Sequence, residues 1–107
     1  MKPVAATGGI KDAFVRVPLT TSEQARIASA ANGAAIGAWI RQQVLLTLAD
    51  FVLTQAVAER VAREPLPPDT NSEWCFRVSP GLAERLDAAR GYAARGRWVR
   101  SAILERV

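Results

Sequence analysis

The 107-residue sequence has no histidine, one cysteine, one methionine and few aromatic residues. Because Cys75 is the only thiol and histidine is absent, neither an intrachain disulfide nor a zinc site built from Cys and His can form. The same absences remove most routes to nucleophilic and general acid–base catalysis. The sequence also contains no evident carboxylate pair, metal-ligand set or phosphate-binding loop. We therefore expect a protein that is not an enzyme and that binds neither a metal nor a cofactor.

Long apolar runs are also missing. A membrane-spanning helix needs roughly 18 to 20 consecutive apolar residues, and the longest candidate, residues 44–53, is interrupted by Thr47 and Asp50. The residues after Lys2 are small rather than strongly apolar, unlike the core of a secretory signal. The sequence therefore predicts a cytoplasmic protein with a reduced thiol and no membrane partner.

What the sequence does contain is an internal repeat. Residues 74–107 align without a gap on residues 15–48, at a constant offset of 59. Eight of the 34 aligned pairs are identical: Arg26/Arg85, Ala30/Ala89, Ala34/Ala93, Ala35/Ala94, Gly37/Gly96, Trp39/Trp98, Arg41/Arg100 and Leu45/Leu104. Repeat arrays need at least about three copies to bury a continuous core. Two copies instead predict a pseudo-dimer within one chain.

The positive charge follows the repeat. Residues 1–48 carry five Lys or Arg against two acids, and residues 72–107 carry seven Arg against four acids, so each has a net charge of +3. The connecting residues 49–71 have a net charge of −2. This distribution is typical of a surface that binds a polyanion such as nucleic acid. The alternative is a set of basic helices that are simply solvated.

Each copy begins with alternating apolar and polar residues, the pattern of a half-buried strand. The apolar faces consist of Val15, Val17 and Leu19 in the first copy and of Trp74, Phe76 and Val78 in the second. Because Pro18 has no amide hydrogen, the first strand must have an unpaired edge at that point, as in a ribbon of only two strands.

Two helices follow each strand. Thr20 or Thr21 is placed to form a capping box with Glu23, and Ser79 followed by Pro80 begins the corresponding helix of the second copy. Residues suited to a left-handed backbone then end the first helix of each copy. They are Asn32, Gly33 and Gly91.

The connection between the copies is predicted to be helical and then extended. Apolar positions from Val44 to Val61 keep a helical period with no strong breaker before Glu64, so the second helix of the first copy is expected to be long, or bent near Asp50. The prolines that follow favour an extended tether. The predicted segments are a flexible N-terminal arm (1–13), a first unit (14–48), a helical extension with a proline-rich linker (49–71) and a second unit (72–107).

A strand followed by two helices, with an aromatic–aliphatic–Arg triplet early in the second helix, resembles the ribbon-helix-helix DNA-binding family. The triplets are Trp39-Ile40-Arg41 and Trp98-Val99-Arg100, each after a turn glycine. The resemblance implies a mainly α fold with a short two-stranded antiparallel ribbon, built from two fused ribbon-helix-helix units as a monomeric pseudo-dimer. Pairing of strands between two chains is the alternative arrangement.

The ribbon of this family enters the major groove of double-stranded DNA. The resemblance therefore implies that the outward strand residues read bases, with an arginine donating two hydrogen bonds to guanine. The implied base-reading residues are Arg16, Arg77, Phe14, Pro18, Glu73 and Cys75. Phe14 or Cys75 would contact a thymine methyl group, and Glu73 would accept a hydrogen bond from cytosine. The alternative is that these are exposed strand residues without a ligand.

The family also holds DNA phosphates at the N-terminus of the second helix, where free amides and the helix dipole favour an anion. The implied phosphate-binding residues are Ala35, Ile36 and Gly37 in the first copy, Arg95, Gly96 and Arg97 in the second, and Lys11 in the arm. The alanines depart from the Ser or Thr that family members often carry. Gly37 and Gly96 leave the backbone open to close approach.

Tandem members of the family include accessory factors of plasmid transfer. The Thr-Ser-Glu-Gln helix start and the Trp-Ile-Arg triplet of the first copy are similar to those of plasmid mobilisation and relaxosome accessory proteins. This implies double-stranded DNA as a partner, with a relaxase or another transfer protein as a second one. The alternatives are a transcriptional repressor with the same fold and, in a different class, an antitoxin-like protein-interaction module that uses residues 49–64.

Overall fold

The computed structural model describes residues 13–70, 72–91 and 94–107. These residues form two strands and five helices, with three helices after the first strand and two after the second. In chain order the elements are β1 (Ala13–Leu19), α1 (Thr21–Ala31), α2 (Ile36–Leu48), α3 (Phe51–Arg63), β2 (Ser72–Val78), α4 (Pro80–Ala89) and α5 (Arg95–Leu104). The prediction of a mainly helical protein with a short two-stranded antiparallel sheet is confirmed. Among the described residues no helix has the length and hydropathy needed to cross a membrane.

The elements fall into the predicted segments with small shifts of their bounds. Residues 14–48 contain β1, α1 and α2, although the strand begins one residue earlier, at Ala13; residues 72–107 contain β2, α4 and α5. The remainder of the predicted arm, including Lys11, lies outside the described residues. The proline-rich linker is not extended throughout, because the Thr70 hydroxyl donates to the Pro67 carbonyl (3.0 Å) and closes a turn.

The two strands pair antiparallel within the single chain. Val15 lies opposite Phe76 and Val17 lies opposite Trp74, so the two predicted apolar faces fall on the same side of the ribbon. Arg16 lies opposite Cys75, the residue 59 positions later in the chain. The register of the ribbon is therefore centred on a pair of residues that the sequence repeat also relates.

The helix starts that follow the strands are capped as predicted. Thr20 Oγ1 accepts from the Glu23 amide (3.1 Å), and Glu23 Oε1 accepts from the Thr20 amide (2.9 Å), which completes a capping box. Ser79 Oγ accepts from the Leu82 amide (3.1 Å), with Pro80 as the first helical residue. Positive φ angles occur at the predicted turn residues, Asn32 (51°), Gly33 (88°) and Gly91 (63°).

Of the two predicted forms of the connection between the copies, one long helix or a bend near Asp50, the structure has the second. The helical period continues through residues 44–61, but α2 ends at Leu48 and α3 begins at Phe51. Asp50 adopts an extended backbone and accepts from the Leu53 amide (3.1 Å), which makes it the N-cap of a new helix. The buried Thr54 hydroxyl donates to the Thr47 carbonyl (2.9 Å) and joins the two helices at the corner. Local side-chain hydrogen bonding thus overrides the apolar period.

All seven elements share one hydrophobic core. Trp98 is completely buried at its centre, and Val17, Leu19 and Ile27 are equally inaccessible. Helix α3 packs back onto α5, where Arg60 Nε donates to Ser101 Oγ (2.8 Å) and Arg60 NH1 pairs with Glu105 (2.7 Å). The segment that connects the two copies is therefore part of the same body rather than a separate domain.

The second helix of each copy packs against the strand of the other copy. The first turn of α5 lies against β1, where a Cβ built on Gly96 would come within 1.8 Å of the Arg16 carbonyl oxygen. The first turn of α2 approaches β2 less closely: a Cβ on Gly37 would lie 3.6 Å from Phe76 Cβ, an ordinary contact. Gly96 is therefore required by the close approach of two backbones, and its repeat counterpart Gly37 is not.

A partly buried ion pair also connects the copies. Arg100 of α5 donates to Glu23 Oε2 of α1, and both side chains are less than one-sixth exposed. Burial raises the pKa of Glu23, but hydrogen bonds from the Thr20 amide and from Arg100 outweigh this effect and hold the pKa below its ordinary value of 4.5. The carboxylate that caps α1 thus also fixes α5.

We expect Gly96→Ala to lower the free energy of unfolding by about 1–3 kcal/mol, because the added methyl group collides with the β1 backbone. Gly81→Ala is a matched control: no atom lies within 4 Å of its Cβ position on α4. It should be neutral or stabilise by up to about 1 kcal/mol, since alanine reduces the entropy of the unfolded chain. Urea unfolding measures both, and equal effects would contradict the packing described above.

The Glu23–Arg100 pair predicts a specific loss of stability in acid. A carboxylate whose folded-state pKa is lowered contributes stability above its unfolded pKa of about 4.5, and this contribution is lost as the pH falls through the folded-state value. We expect the unfolding free energy of the wild type to fall more steeply below about pH 5 than that of Glu23→Gln. Glu84→Gln, at an exposed position on α4, should keep the wild-type slope. If the unfolding free energies of the wild type and Glu23→Gln fell in parallel as the pH is lowered, this assignment would be refuted.

Candidate nucleic-acid interface

The face of the ribbon opposite the core carries all six residues that the sequence predicts to read bases. The register arranges them as three cross-strand pairs: Phe14 opposite Arg77, Arg16 opposite Cys75 and Pro18 opposite Glu73. Five of these residues are exposed and Pro18 is half-buried. Because direct partners in a sheet point to the same side, the six side chains form one continuous ridge.

The two arginines of this ridge are accessible and only weakly held. Arg16 NH1 lies 3.7 Å from Glu73 Oε1, and the two side chains are 74% and 51% exposed. The guanidinium carbon of Arg77 lies 5.8 Å from the centroid of the Phe14 ring, a cation–π contact. Exposed ion pairs and cation–π contacts of this kind contribute at most about 1 kcal/mol each. Both guanidinium groups can therefore exchange these contacts for a ligand.

The N-termini of α2 and α5 differ from those of the other helices. Side chains of Thr20, Asp50 and Ser79 cap α1, α3 and α4. Ala35 and Ala94, which cap α2 and α5, supply no side-chain acceptor, and neither helix has an acidic residue in its first turn. The two uncapped helix starts are counterparts in the repeat, since Ala94 follows Ala35 by 59 residues. Free amides at such positions favour an anion.

Arg95, at the start of α5, is bound within the protein. Its Nε and NH2 atoms donate to the two carboxylate oxygens of Asp87 on α4, each at 2.7 Å. These hydrogen bonds, followed by those from Arg90, hold the pKa of Asp87 well below its usual range, and Asp87 in turn raises the pKa of Arg95. A phosphate at the start of α5 would therefore compete with Asp87 for Arg95.

The other phosphate-binding residues predicted in the second copy are also occupied. Arg97 NH2 donates to the Glu64 carbonyl (2.8 Å) and holds the linker beside α5. Gly96 is buried against β1, so the missing side chain serves the close approach to the Arg16 backbone. Its role in phosphate binding stays a prediction. In the first copy Ala35 is exposed, and Ile36 and Gly37 are half-buried.

The tertiary structure places the predicted phosphate-binding helix start of each copy beside the strand of the other copy. The start of α5 in the second copy lies beside β1 of the first copy, where Gly96 approaches the Arg16 backbone. On the other side, Arg41 NH1 of α2 donates to the Arg77 carbonyl of β2 (3.1 Å). Each ridge arginine therefore has its backbone fixed by the second helix of the other copy.

Sequence reasoning missed the part that Asp87 plays at this surface. Its spacing of three residues from Arg90 is a known signal for an ion pair along one helix. Its contact with Arg95 joins α4 to α5, and the period of a single helix cannot predict a contact between two helices. In residues 13–70, 72–91 and 94–107 no cluster of three His, Cys, Asp or Glu side chains is placed to hold a metal ion. Cys75 is an exposed free thiol.

Comparison with known proteins gave no match to any protein-family model, any curated protein or any solved structure. The geometry and charge of the ribbon and of the two helix starts beside it are therefore the features that bear on function.

Proposed function

We propose that this protein binds double-stranded DNA sequence-specifically by placing the β1–β2 ribbon in the major groove. The observation that carries the proposal is the ridge itself: a two-stranded ribbon has one face in the core and presents two accessible arginines on the other. Neighbouring strands lie about 5 Å apart, and a groove about 12 Å wide admits such a ribbon. Arg16 and Arg77 are the proposed donors to guanine.

The proposed architecture is a pseudo-dimer of two ribbon-helix-helix units in one chain. Two features support it. The ribbon register is centred on Arg16 and Cys75, which the repeat also relates. The second helix of each unit contacts the strand of the other unit, as Gly96 and Arg41 illustrate. Intrachain pairing supports a monomer as the DNA-binding species, and further copies would associate on DNA.

The starts of α2 and α5 are the proposed phosphate contacts on the two sides of the ridge. Their amides lack side-chain caps, and both lie next to the strands. Backbone contacts of this kind fix the position of a protein on the duplex without reading its sequence. Arg95 would add a charge-assisted contact after release from Asp87.

In the cell, the role that we propose is that of an accessory factor in plasmid transfer, acting in a relaxosome with a relaxase or another transfer protein as partner. This proposal is supported by the Thr-Ser-Glu-Gln helix start and the Trp39-Ile40-Arg41 triplet of the first copy. A transcriptional repressor with the same fold would use the same interface. The genes next to the coding sequence distinguish these two roles.

One observation favours a second candidate function of another class. Phe51 and Val52, which are adjacent on the first turn of α3, are each 74% exposed. Exposed apolar residues that lie together are typical of protein-interaction sites. An antitoxin-like interaction module would use these residues and would show no preference among DNA sequences.

The first test is selection of bound sequences from random duplex DNA at physiological salt. We expect an enriched motif for the wild type and loss of at least about 30-fold in discrimination for Arg16→Ala/Arg77→Ala, because each bidentate arginine–guanine contact contributes about 1–3 kcal/mol. The matched control is Arg26→Ala/Arg85→Ala, which removes the same charge from exposed repeat counterparts on α1 and α4. It should weaken binding to all sequences and leave the motif unchanged.

Two results would refute the proposal. The first is the absence of any enriched motif for the folded wild-type protein, which would favour the interaction module. The second is retention of the motif by the Arg16→Ala/Arg77→Ala variant, which would mean that the ridge does not read bases.

The second test concerns the phosphate contact at α5. We expect Asp87→Asn to tighten binding to all sequences by about two- to fivefold, the effect of removing one competing exposed ion pair. Glu84→Gln removes the same charge one turn earlier on α4 and serves as the control. Arg95→Ala should make the binding constant less dependent on salt concentration, by the amount that corresponds to about one phosphate contact. Titrations at several salt concentrations measure these effects, and equal results for the two acid substitutions would exclude a role for Arg95.

A further inference from the structure

The outward residues of the ribbon differ in charge at every position that the repeat relates. The offset of 59 relates Phe14 to Glu73, Arg16 to Cys75 and Pro18 to Arg77. In each of these pairs one member is charged and the other is not. The register places the pairs symmetrically about its centre. A two-fold rotation of the ribbon therefore puts an uncharged side chain in the place of each charged one.

We infer that the ribbon reads a DNA sequence without two-fold symmetry and binds it in a single orientation, with Arg16 and Glu73 together reading one G·C base pair. This inference rests on the proposed DNA-binding function and specifies the class of site that the ribbon recognises.

The Arg16–Glu73 pair lies on a diagonal of the ribbon, because Arg16 opposes Cys75 and Glu73 opposes Pro18. The 3.7 Å between Arg16 NH1 and Glu73 Oε1 places a cationic donor next to an anionic acceptor at an exposed surface. Rotation about the centre of the ribbon would put Phe14 and Cys75 in this place. Neither of those side chains can replace the donor or the carboxylate.

A G·C base pair is the complement of this arrangement. In the major groove guanine presents N7 and O6 as acceptors, and cytosine presents its N4 amino group as a donor. The O6 and N4 atoms lie side by side because they are paired with each other. Arg16 can donate to guanine while Glu73 accepts from cytosine. In an A·T pair the acceptor beside the adenine amino group is the single O4 atom of thymine. Guanine offers the guanidinium group two acceptors, so a G·C pair is favoured.

The opposite end of the ridge has different chemistry. Arg77 lies over the ring of Phe14, which is 56% exposed, and neither member of this end pair is acidic. This end offers donors and an apolar surface, which suit a guanine and the methyl group of a neighbouring thymine. At the Glu73 end the carboxylate favours cytosine on the strand that it faces and disfavours guanine on that strand, because guanine presents only acceptors.

The length of the ridge limits the site that it reads. The Phe14–Arg77 and Pro18–Glu73 pairs lie four residues apart along the strands, or about 13 Å at about 3.3 Å per residue. This equals about four base pairs at 3.4 Å each. The motif should therefore be short and its two ends should differ.

The test begins with the motif enriched from random duplex DNA. Its central sequence should lack two-fold symmetry. Two symmetrised duplexes, each carrying one half of the motif followed by its inverted copy, should bind the wild type at least about fivefold more weakly than the enriched site.

A pair of charge-matched variants then tests Glu73 itself. Both Glu73→Ala and Glu84→Ala remove one negative charge and should tighten binding to unrelated DNA. Only Glu73→Ala should also lose about fivefold in discrimination at one G·C base pair. A general effect of charge changes the affinity for all sequences alike, so it would leave the ratio of affinities at that base pair unchanged. Thermal unfolding of each variant shows whether it is folded.

A third variant makes the outward residues of the two strands identical and so tests whether their difference causes the asymmetric preference. Phe14→Glu, Pro18→Arg and Cys75→Arg together give both strands the same three outward residues, Glu, Arg and Arg. The folded triple variant should select palindromic sites.

The outcomes separate the inference from the function on which it rests. A motif with two-fold symmetry, or equal discrimination by Glu73→Ala and Glu84→Ala, would overturn the oriented reading and leave sequence-specific DNA binding intact. Absence of any motif for the wild type would overturn the proposed function as well.

Discussion

Pairing of β1 with β2 is the constraint on which the rest of this structure depends. A single strand with one apolar face cannot bury it, whereas two strands side by side present Val15, Val17, Phe76 and their neighbours to a shared core. The two strands are separated in the chain by three helices. Forming the ribbon therefore brings both copies of the repeat into one body and leaves its outward residues as a narrow exposed ridge.

The arginines divide into those that stabilise the fold and those that remain accessible. Arg100 binds the carboxylate that caps α1, Arg41 binds the backbone of β2, and Arg97 holds the linker. Arg16 and Arg77 make only weak contacts on the ridge. Positive net charge on each copy therefore overstates the charge available to a polyanion. The accessible arginines with only weak contacts are those of the ribbon, whereas Arg95 and Arg97 at the start of α5 are held within the protein.

Much of the local structure was predictable because it depends on nearest neighbours. Alternation at residues 14–19 and 73–78 indicated the strands, and the capping residues Thr20 and Ser79 indicated where helices begin. The break at Asp50 was less predictable, since the apolar period continues across it and a single N-cap hydrogen bond decides the outcome. The contact between Arg95 and Asp87 was not predictable from spacing, because it crosses the turn between two helices.

The sequence by itself determined the type and order of the elements within each copy, the apolar and outward faces of both strands, and the set of six residues on the ridge. These properties follow from periodicity and capping, which act over a few residues. Only the tertiary structure decided that the strands pair within one chain in a register centred on Arg16 and Cys75. It also decided that Gly96 lies against the backbone of β1, and that Glu73 lies beside Arg16 rather than Arg77. These outcomes depend on distances between residues far apart in the chain, which are set only when the shared core is packed.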